Sequence, residues 1–204
     1  YKPRFSKSLT LRAATGLYYQ PPFYRELRGT DGRLYPEVMA QKSIHIVVGS
    51  DFTFLAFGRE FKLTAEAFYK ALENLIPYKV DNIRLRYLPQ YTSKGYAQGM
   101  DFRLFGEFVP GAESWLSVSY LKTEEDVRGD YYYRYFNSDG EEVYPGYTSN
   151  STAVDSTIVE PGYIPRPADQ RLTFGIFFQD YLPKFPTYKM QLSMVFGTAL
   201  PFGP

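Results

Sequence analysis

The chain has no cysteine among its 204 residues. Disulfides, thiolate metal sites and cysteine nucleophiles are excluded, and the compartment is left open. There is one histidine, His45, so a metal centre built from several imidazoles is excluded too. Neither sign of charge is in excess: 23 Lys and Arg face 22 Asp and Glu, for a net charge of +1. That balance argues against a dedicated nucleic-acid partner, which would select a basic excess. No apolar run reaches the 18 or so residues of a transmembrane helix. The start, Tyr1-Lys2-Pro3-Arg4-Phe5, lacks an initiator Met, an apolar signal region and a cleavage site, so the sequence is expected to be an internal piece of a longer chain. Aromatic residues are abundant: 20 Tyr, 17 Phe and one Trp make up 19% of the chain. Mean hydropathy is nevertheless negative. Together these suggest strands with one apolar and one polar face.

Period-two alternation dominates the sequence. Leu9, Leu11, Ala13, Thr15, Leu17 and Tyr19 alternate with Thr10, Arg12, Ala14, Gly16, Tyr18 and Gln20. Six more runs behave alike, which predicts strands over about 8–20, 41–57, 61–74, 95–108, 115–123, 171–181 and 188–198. The third run, Leu63 to Glu73, also scores as helix by propensity; its neighbours on both sides decide for strand. Short connections rich in Gly or Pro, at Phe57–Glu60, Val109–Glu113 and Leu182–Pro186, alternate with long ones over 21–40, 75–94 and 124–167. All the long loops therefore leave from one edge of an antiparallel, up-and-down meander.

Short turns on one side and long loops on the other are the signature of a transmembrane β-barrel. Lipid cannot satisfy the backbone of an open sheet edge, so strands cross a membrane only in closed barrels. Tyr18, Tyr19, Phe68, Tyr69, Tyr96 and Tyr120 fall near the long-loop ends; Phe52, Phe54, Phe61, Phe108, Trp115, Tyr181 and Tyr188 fall near the short turns. Interfacial girdles of amphipathic rings would be distributed this way. The polar set Arg12, His45, Asp51, Lys62, Glu66, Asp101, Arg103, Lys189 and Gln191 would line a wet lumen. Seven strands is an odd number, and bacterial single-chain barrels have even ones, so further strands are expected outside this chain.

Particular segments resemble TonB-dependent outer-membrane receptors of Bacteroidetes-type bacteria. They are Gly16-Leu17-Tyr18-Tyr19-Gln20-Pro21-Pro22-Phe23-Tyr24-Arg25-Glu26-Leu27, Ala65-Glu66-Ala67-Phe68-Tyr69-Lys70, Asn74-Leu75-Ile76-Pro77-Tyr78 and Gly95-Tyr96-Ala97-Gln98-Gly99-Met100-Asp101-Phe102. Farther along come Glu107-Phe108-Val109-Pro110-Gly111 with Ser114-Trp115-Leu116-Ser117, then Arg166-Pro167-Ala168-Asp169-Gln170-Arg171, Phe178-Gln179-Asp180-Tyr181-Leu182-Pro183 and Leu200-Pro201-Phe202-Gly203-Pro204. The resemblance spans residues 9–204, and the order of the segments is more specific than any one of them. It implies part of a 22-stranded barrel in the cell outer membrane. In the family a plug domain fills the barrel, and TonB supplies energy to import an iron chelate, cobalamin, a glycan or a peptide. The plug, the TonB-contact motif and a terminal strand are not in this sequence, so the chain alone is not expected to transport. Partners implied are the outer-membrane bilayer, the plug, the TonB complex and an extracellular nutrient, with no nucleic acid.

No catalytic constellation, cofactor motif or metal site stands out, and the chain is not read as an enzyme. Ser43, His45 and Asp51 lie on one strand and read as lumen lining. Asp101 and Glu107 are six residues apart, about 20 Å at 3.3 Å per residue. Paired carboxylates of glycoside hydrolysis need roughly 5–9.5 Å. Hydrogen bonding to a plug is the expected role of the lumen-facing set Arg12, Glu66, Asp101, Arg103 and Glu107. Tyr131, Tyr132, Tyr133 and Tyr135, in the longest loop, are the candidate ligand contacts, since tyrosine joins a broad apolar ring to a polar tip. Asn137-Ser138-Asp139-Gly140 hints at a calcium loop without the EF-hand spacing, and Asn150-Ser151-Thr152 fits a glycosylation sequon. From a different class, a secreted or surface β-sandwich binding carbohydrate through exposed aromatics would need a buried core and covered sheet edges.

Overall fold

The computed structural model describes residues 1–3, 8–82, 84–109, 111–144, 147, 152–182 and 184–201. Among them there is no helix. The strands are β1 (Leu9–Gln20), β2 (Gln41–Ala56), β3 (Arg59–Leu75), β4 (Tyr78–Asp81), β5 (Arg84–Tyr87), β6 (Ser93–Gly106), β7 (Glu113–Val127), β8 (Tyr132–Phe136), β9 (Asp155–Val159), β10 (Tyr163–Pro165), β11 (Leu172–Leu182) and β12 (Phe185–Gly197). The long strands form one antiparallel meander in the order β1-β2-β3-β6-β7-β11-β12. Leu63–Glu73 is extended within β3, because its ladders to β2 and β6 satisfy the backbone on both sides and override helix propensity.

Register turns the alternation of single strands into two contrasting faces. Leu9, Phe52, Leu63, Leu104, Leu116, Ile176 and Met194 form one transverse row. Leu11, Ser50, Ala65, Phe102, Val118, Phe174 and Phe196 form the next row on the same face. On the opposite face, one row runs Arg12, Gly49, Glu66, Asp101, Ser119, Thr173 and Gly197. Nothing in the described residues covers either face as a second layer. Among the described hydrophobic residues, only Phe61, Leu75, Ile76, Ala112 and Val143 are buried, while Val48, Met100, Leu192 and Met194 are about half exposed. The accessible surface is 14636 Å² for 23.6 kDa, where a compact protein of that mass shows about 9,800 Å².

The long connections carry structure that the alternation does not reveal. The second holds the β4–β5 hairpin and the third the β8–β9 hairpin. β7 continues to Val127, and β10 pairs with its last turn through Tyr163↔Asp126 to Pro165↔Glu124. β10 and β11 thus share one edge of β7, interrupted by Arg166–Arg171. That segment stays attached: Arg166 N–H donates to Thr123 O at 3.1 Å, Leu121 N–H donates to Arg171 O at 3.1 Å, and Thr123 N–H donates to Asp169 Oδ1 at 2.7 Å. A single backbone pair joins Tyr1 to Leu11 at the outer edge of β1. No strand lies beyond β12 among the described residues.

Candidate functional site

The polar face concentrates its charges near the middle of the sheet. Arg12 Nη2 lies 3.4 Å from Asp51 Oδ1 and 4.0 Å from Glu66 Oε2, and Lys62 Nζ lies 3.7 Å from the same Asp51 oxygen. Thr64 Oγ1 donates to Asp51 Oδ1 at 2.8 Å. Gly49 leaves room for this network, since a Cβ there would meet Ala65 O at 3.3 Å and the Arg12 guanidinium at 3.6 Å. Beside it, the Arg103 guanidinium lies 5.4 Å from the Trp115 ring centre and 5.7 Å from that of Phe105. Trp115 stacks in turn on Phe177 at 5.7 Å. Asp101, Ser117 and Ser119 complete the rim of a shallow depression of about 460 Å³. Exposed ion pairs of this kind contribute only about 0–1 kcal/mol each, so the network does little for stability. It makes the face wettable and rich in hydrogen-bonding groups.

The structure brings Arg12, Glu66, Asp101 and Arg103 together on that face. Glu107 lies one residue beyond the end of β6. There its carboxylate accepts Gly111 N–H at 3.2 Å and its carbonyl accepts Arg59 Nη1 at 2.7 Å. It closes the short turn and does not contribute to the depression. Ser43, His45 and Asp51 do not converge. His45 packs on the Tyr18 ring at 4.4 Å, the Ser43 hydroxyl is buried with no hydrogen-bond partner, and the Asp51 carboxylate is held by Arg12, Lys62 and Thr64. What the alternation does not show is the aromatic platform under Arg103, because it depends on the β6–β7 register. Phe105↔Trp115 is the pairing that sets it.

Toward the long loops, Ser93 and Glu125 are buried, and Ser93 Oγ donates to Glu125 Oε2 at 2.7 Å. Arg166 Nε stands 3.7 Å from the other oxygen of Glu125. In the β8–β9 hairpin, Tyr131, Tyr133 and Tyr135 form a ladder on one side, with ring centres 5.7 and 6.1 Å apart. Tyr132 projects from the other side, by strand alternation. All four are exposed. Arg134 grips Glu142 with both forks of its guanidinium, Nε at 2.8 Å from Oε1 and Nη2 on Oε2. Those bonds, reinforced by Tyr144, hold the Glu142 carboxyl down at about 2. The Asn137 side chain is used inside its own turn, Oδ1 accepting from Asp139 N–H at 3.0 Å and Glu141 N–H at 2.9 Å. Asn150 and Ser151 of the sequon lie outside the described residues. Among the described residues, no three His, Asp or Glu side chains gather as a metal-binding group.

Two chemistries are therefore on offer: a wettable polar wall along the sheet and exposed tyrosines above it. Comparison with known proteins adds no relative, as no family model, no curated protein and no solved structure matches the chain.

Proposed function

We propose that the chain is a sector of the barrel wall of a TonB-dependent outer-membrane receptor that imports a scarce or bulky nutrient, such as an iron chelate, cobalamin, a glycan or a peptide. The observation that carries this reading is the drift of the apolar band across the strands. The reference is the row from Leu9 to Met194. The lower edge of the band falls from Leu9 on the row to Phe61 two residues below it, Phe108 four below and Tyr188 six below. At the upper edge Tyr19, Tyr96, Tyr120 and Phe196 stand ten, eight, four and two residues above it. Both edges fall the same way, by six to eight residues over six interstrand steps.

A band that is level with a membrane descends along the strands only if the strands are tilted. With about 3.3 Å per residue and about 4.8 Å between strands, the drift corresponds to a tilt of about 35–43°. Transmembrane barrels have strands tilted by about 35–45°. On β2 the band runs from Ile44 to Phe54, about 33 Å along the strand. At that tilt its height is about 25 Å, the height of the lipid-facing band of outer-membrane barrels. The polar face is then the lumen wall, where Arg12, Glu66, Asp101 and Arg103 meet a plug. The β8–β9 tyrosines reach outward for the nutrient. The receptor assignment within barrels draws on the order of the resembling segments. A secreted β-sandwich would need a layer over one face, and the described residues supply none.

Because the chain has no native cysteine, single cysteines carrying a fluorophore report on each face separately. In the full receptor inserted in lipid vesicles, Val48→Cys and Leu192→Cys are expected to be quenched by brominated lipid. Ser119→Cys and Thr64→Cys should be quenched by iodide instead. Equal iodide quenching of all four, or recovery of the native protein outside the outer-membrane fraction, overturns the reading.

A further inference from the structure

A second concave site lies between the first long loop and the β4–β5 hairpin, away from the tyrosine ladder and from the polar wall. It encloses about 290 Å³, and its lining includes Arg25, Arg28 and Arg86 with Tyr24 and Tyr87. No Asp or Glu lines it. We propose that this cleft binds an oxyanion, a carboxylate or phosphate group carried on a small solute.

Three observations support this assignment. First, two of the three arginines are not neutralised where they stand. Arg25 and Arg28 have no carboxylate within ion-pairing distance among the described residues, and Arg86 meets Asp81 only through Nε at 3.4 Å. Two of the loop's three carboxylates are held within the loop itself: Glu26 is buried and accepts Phe23 N–H at 2.8 Å, and Asp31 accepts Arg33 N–H at 3.1 Å. Second, the loop holds Arg25 and Arg28 in place with its backbone. Tyr35 N–H donates to Leu27 O at 2.9 Å, Gly29 N–H donates to Arg33 O at 2.9 Å, and Arg28 bridges to Leu34. Gly29 permits that fold, because a Cβ there would meet Asp31 Oδ1 at 2.7 Å and the Tyr35 ring at 2.9 Å. Third, the Arg25 guanidinium lies 5.6 Å from the centre of the Tyr87 ring, so loop and hairpin meet across the cleft. A guanidinium on an aromatic face keeps its in-plane N–H groups free. Their fork geometry matches carboxylate and phosphate oxygens.

The site stands independently of the transport reading and is tested by binding. In the purified protein, calorimetry with citrate tests the carboxylate source and inorganic pyrophosphate the phosphate source, with sorbitol as the uncharged control. At least one anion is expected to bind, with affinity falling as salt rises, and sorbitol is not. The Arg25→Gln/Arg28→Gln pair should weaken binding by tenfold or more. Arg25→Lys/Arg28→Lys, which keeps the charge and loses the fork, should weaken it less than the Gln pair and still well below the native level. Absence of binding by both anions, or unchanged binding in a folded Gln pair, overturns the proposal. Should the Gln pair fail to fold, native affinity in the Lys pair overturns it just as firmly. Loss of the anion site with the lipid quenching pattern intact would leave the barrel reading standing.

Discussion

Phe57 and Gly58 make the tip of the β2–β3 hairpin, with φ of 54° and 74°. Two consecutive left-handed residues define a primed turn, which matches the right-handed twist of the flanking strands. Gly58 adopts that region freely, whereas an L side chain there costs about 1–2 kcal/mol. Phe57 is 90% exposed and recovers little of that by packing. Phe57→Asn is therefore expected to raise the stability of the folded chain by about 0.5–1 kcal/mol, read as a higher guanidinium midpoint in lipid vesicles; an unchanged or lower midpoint would refute the turn argument. In the third loop, Glu142 is held at about 2 by Arg134 against an ordinary 4.5. A depressed carboxyl stabilises the fold fully above its unfolded value, and that contribution is lost as pH falls through the folded value. The Arg134–Glu142 contact should thus weaken between about pH 4.5 and 2. A ¹³C titration of the Glu142 carboxyl is expected to show a midpoint near 2, and Arg134→Gln should bring it back toward 4.5. Gly58 was legible in the sequence as a turn residue. The Glu142 pair was not, because Arg134 and Glu142, eight positions apart, are brought together by a turn that centres on Asn137.

At the scale of the element, the long strands follow from alternation alone, since each has one face that must avoid water and one that must not. Even β3 yields to this, although Leu63–Glu73 favours helix locally. The short strands within the loops were not legible. β4, β5, β8 and β9 have four or five residues each, too few for a period to show. The excursion between β10 and β11 explains why Arg166-Pro167-Ala168-Asp169-Gln170-Arg171 has the residues it has. Asp169 is 3% exposed and stands in for a missing strand neighbour by accepting Thr123 N–H, while Arg171 Nε balances its charge at 2.8 Å. Gln170 Nε2 reaches Thr198 O at 2.8 Å and ties the segment to the end of β12. Asp169→Ala leaves a buried N–H without its acceptor and removes the shorter of the two ion pairs of Arg171, which keeps Glu124 at 3.7 Å, and is expected to cost about 1–3 kcal/mol. Asp169→Asn keeps an acceptor for Thr123 and should cost about half as much. Hydrogen exchange at Thr123 checks the assignment, with faster exchange in the Ala variant and near-native exchange in the Asn variant; equal protection in both would show that the segment is held by something else.

For the whole molecule, the central fact is a seven-stranded sheet whose hydrophobic face is covered by nothing among the described residues. In water such a surface would be a liability far larger than the few hundred Å² that soluble monomers expose. In hydrocarbon it would cost nothing, and on the barrel reading proposed above the same rows are the means of insertion. The two faces therefore respond oppositely to one substitution. Val48 lies on the apolar face, partnered by Ala13 and Ala67, about midway up the band. On the barrel reading, Val48→Arg places a cation at mid-bilayer depth, where the cost is about 2–4 kcal/mol. Ser119 lies on the polar face, between Asp101 and Thr173 and next to Tyr120 at the upper edge of the band. Ser119→Arg puts the same charge beside a carboxylate and water, and is expected to change stability by less than about 1 kcal/mol. Guanidinium unfolding of the two variants in lipid vesicles separates the cases. A soluble sheet that uses its apolar face as a core would be damaged by Val48→Arg in the absence of lipid as well, whereas a barrel sector shows the penalty only when the bilayer is present. Losses equal within about 0.5 kcal/mol for the two variants in vesicles would mean that the face on which a residue stands does not govern the cost, and the lipid-facing assignment would fall with it.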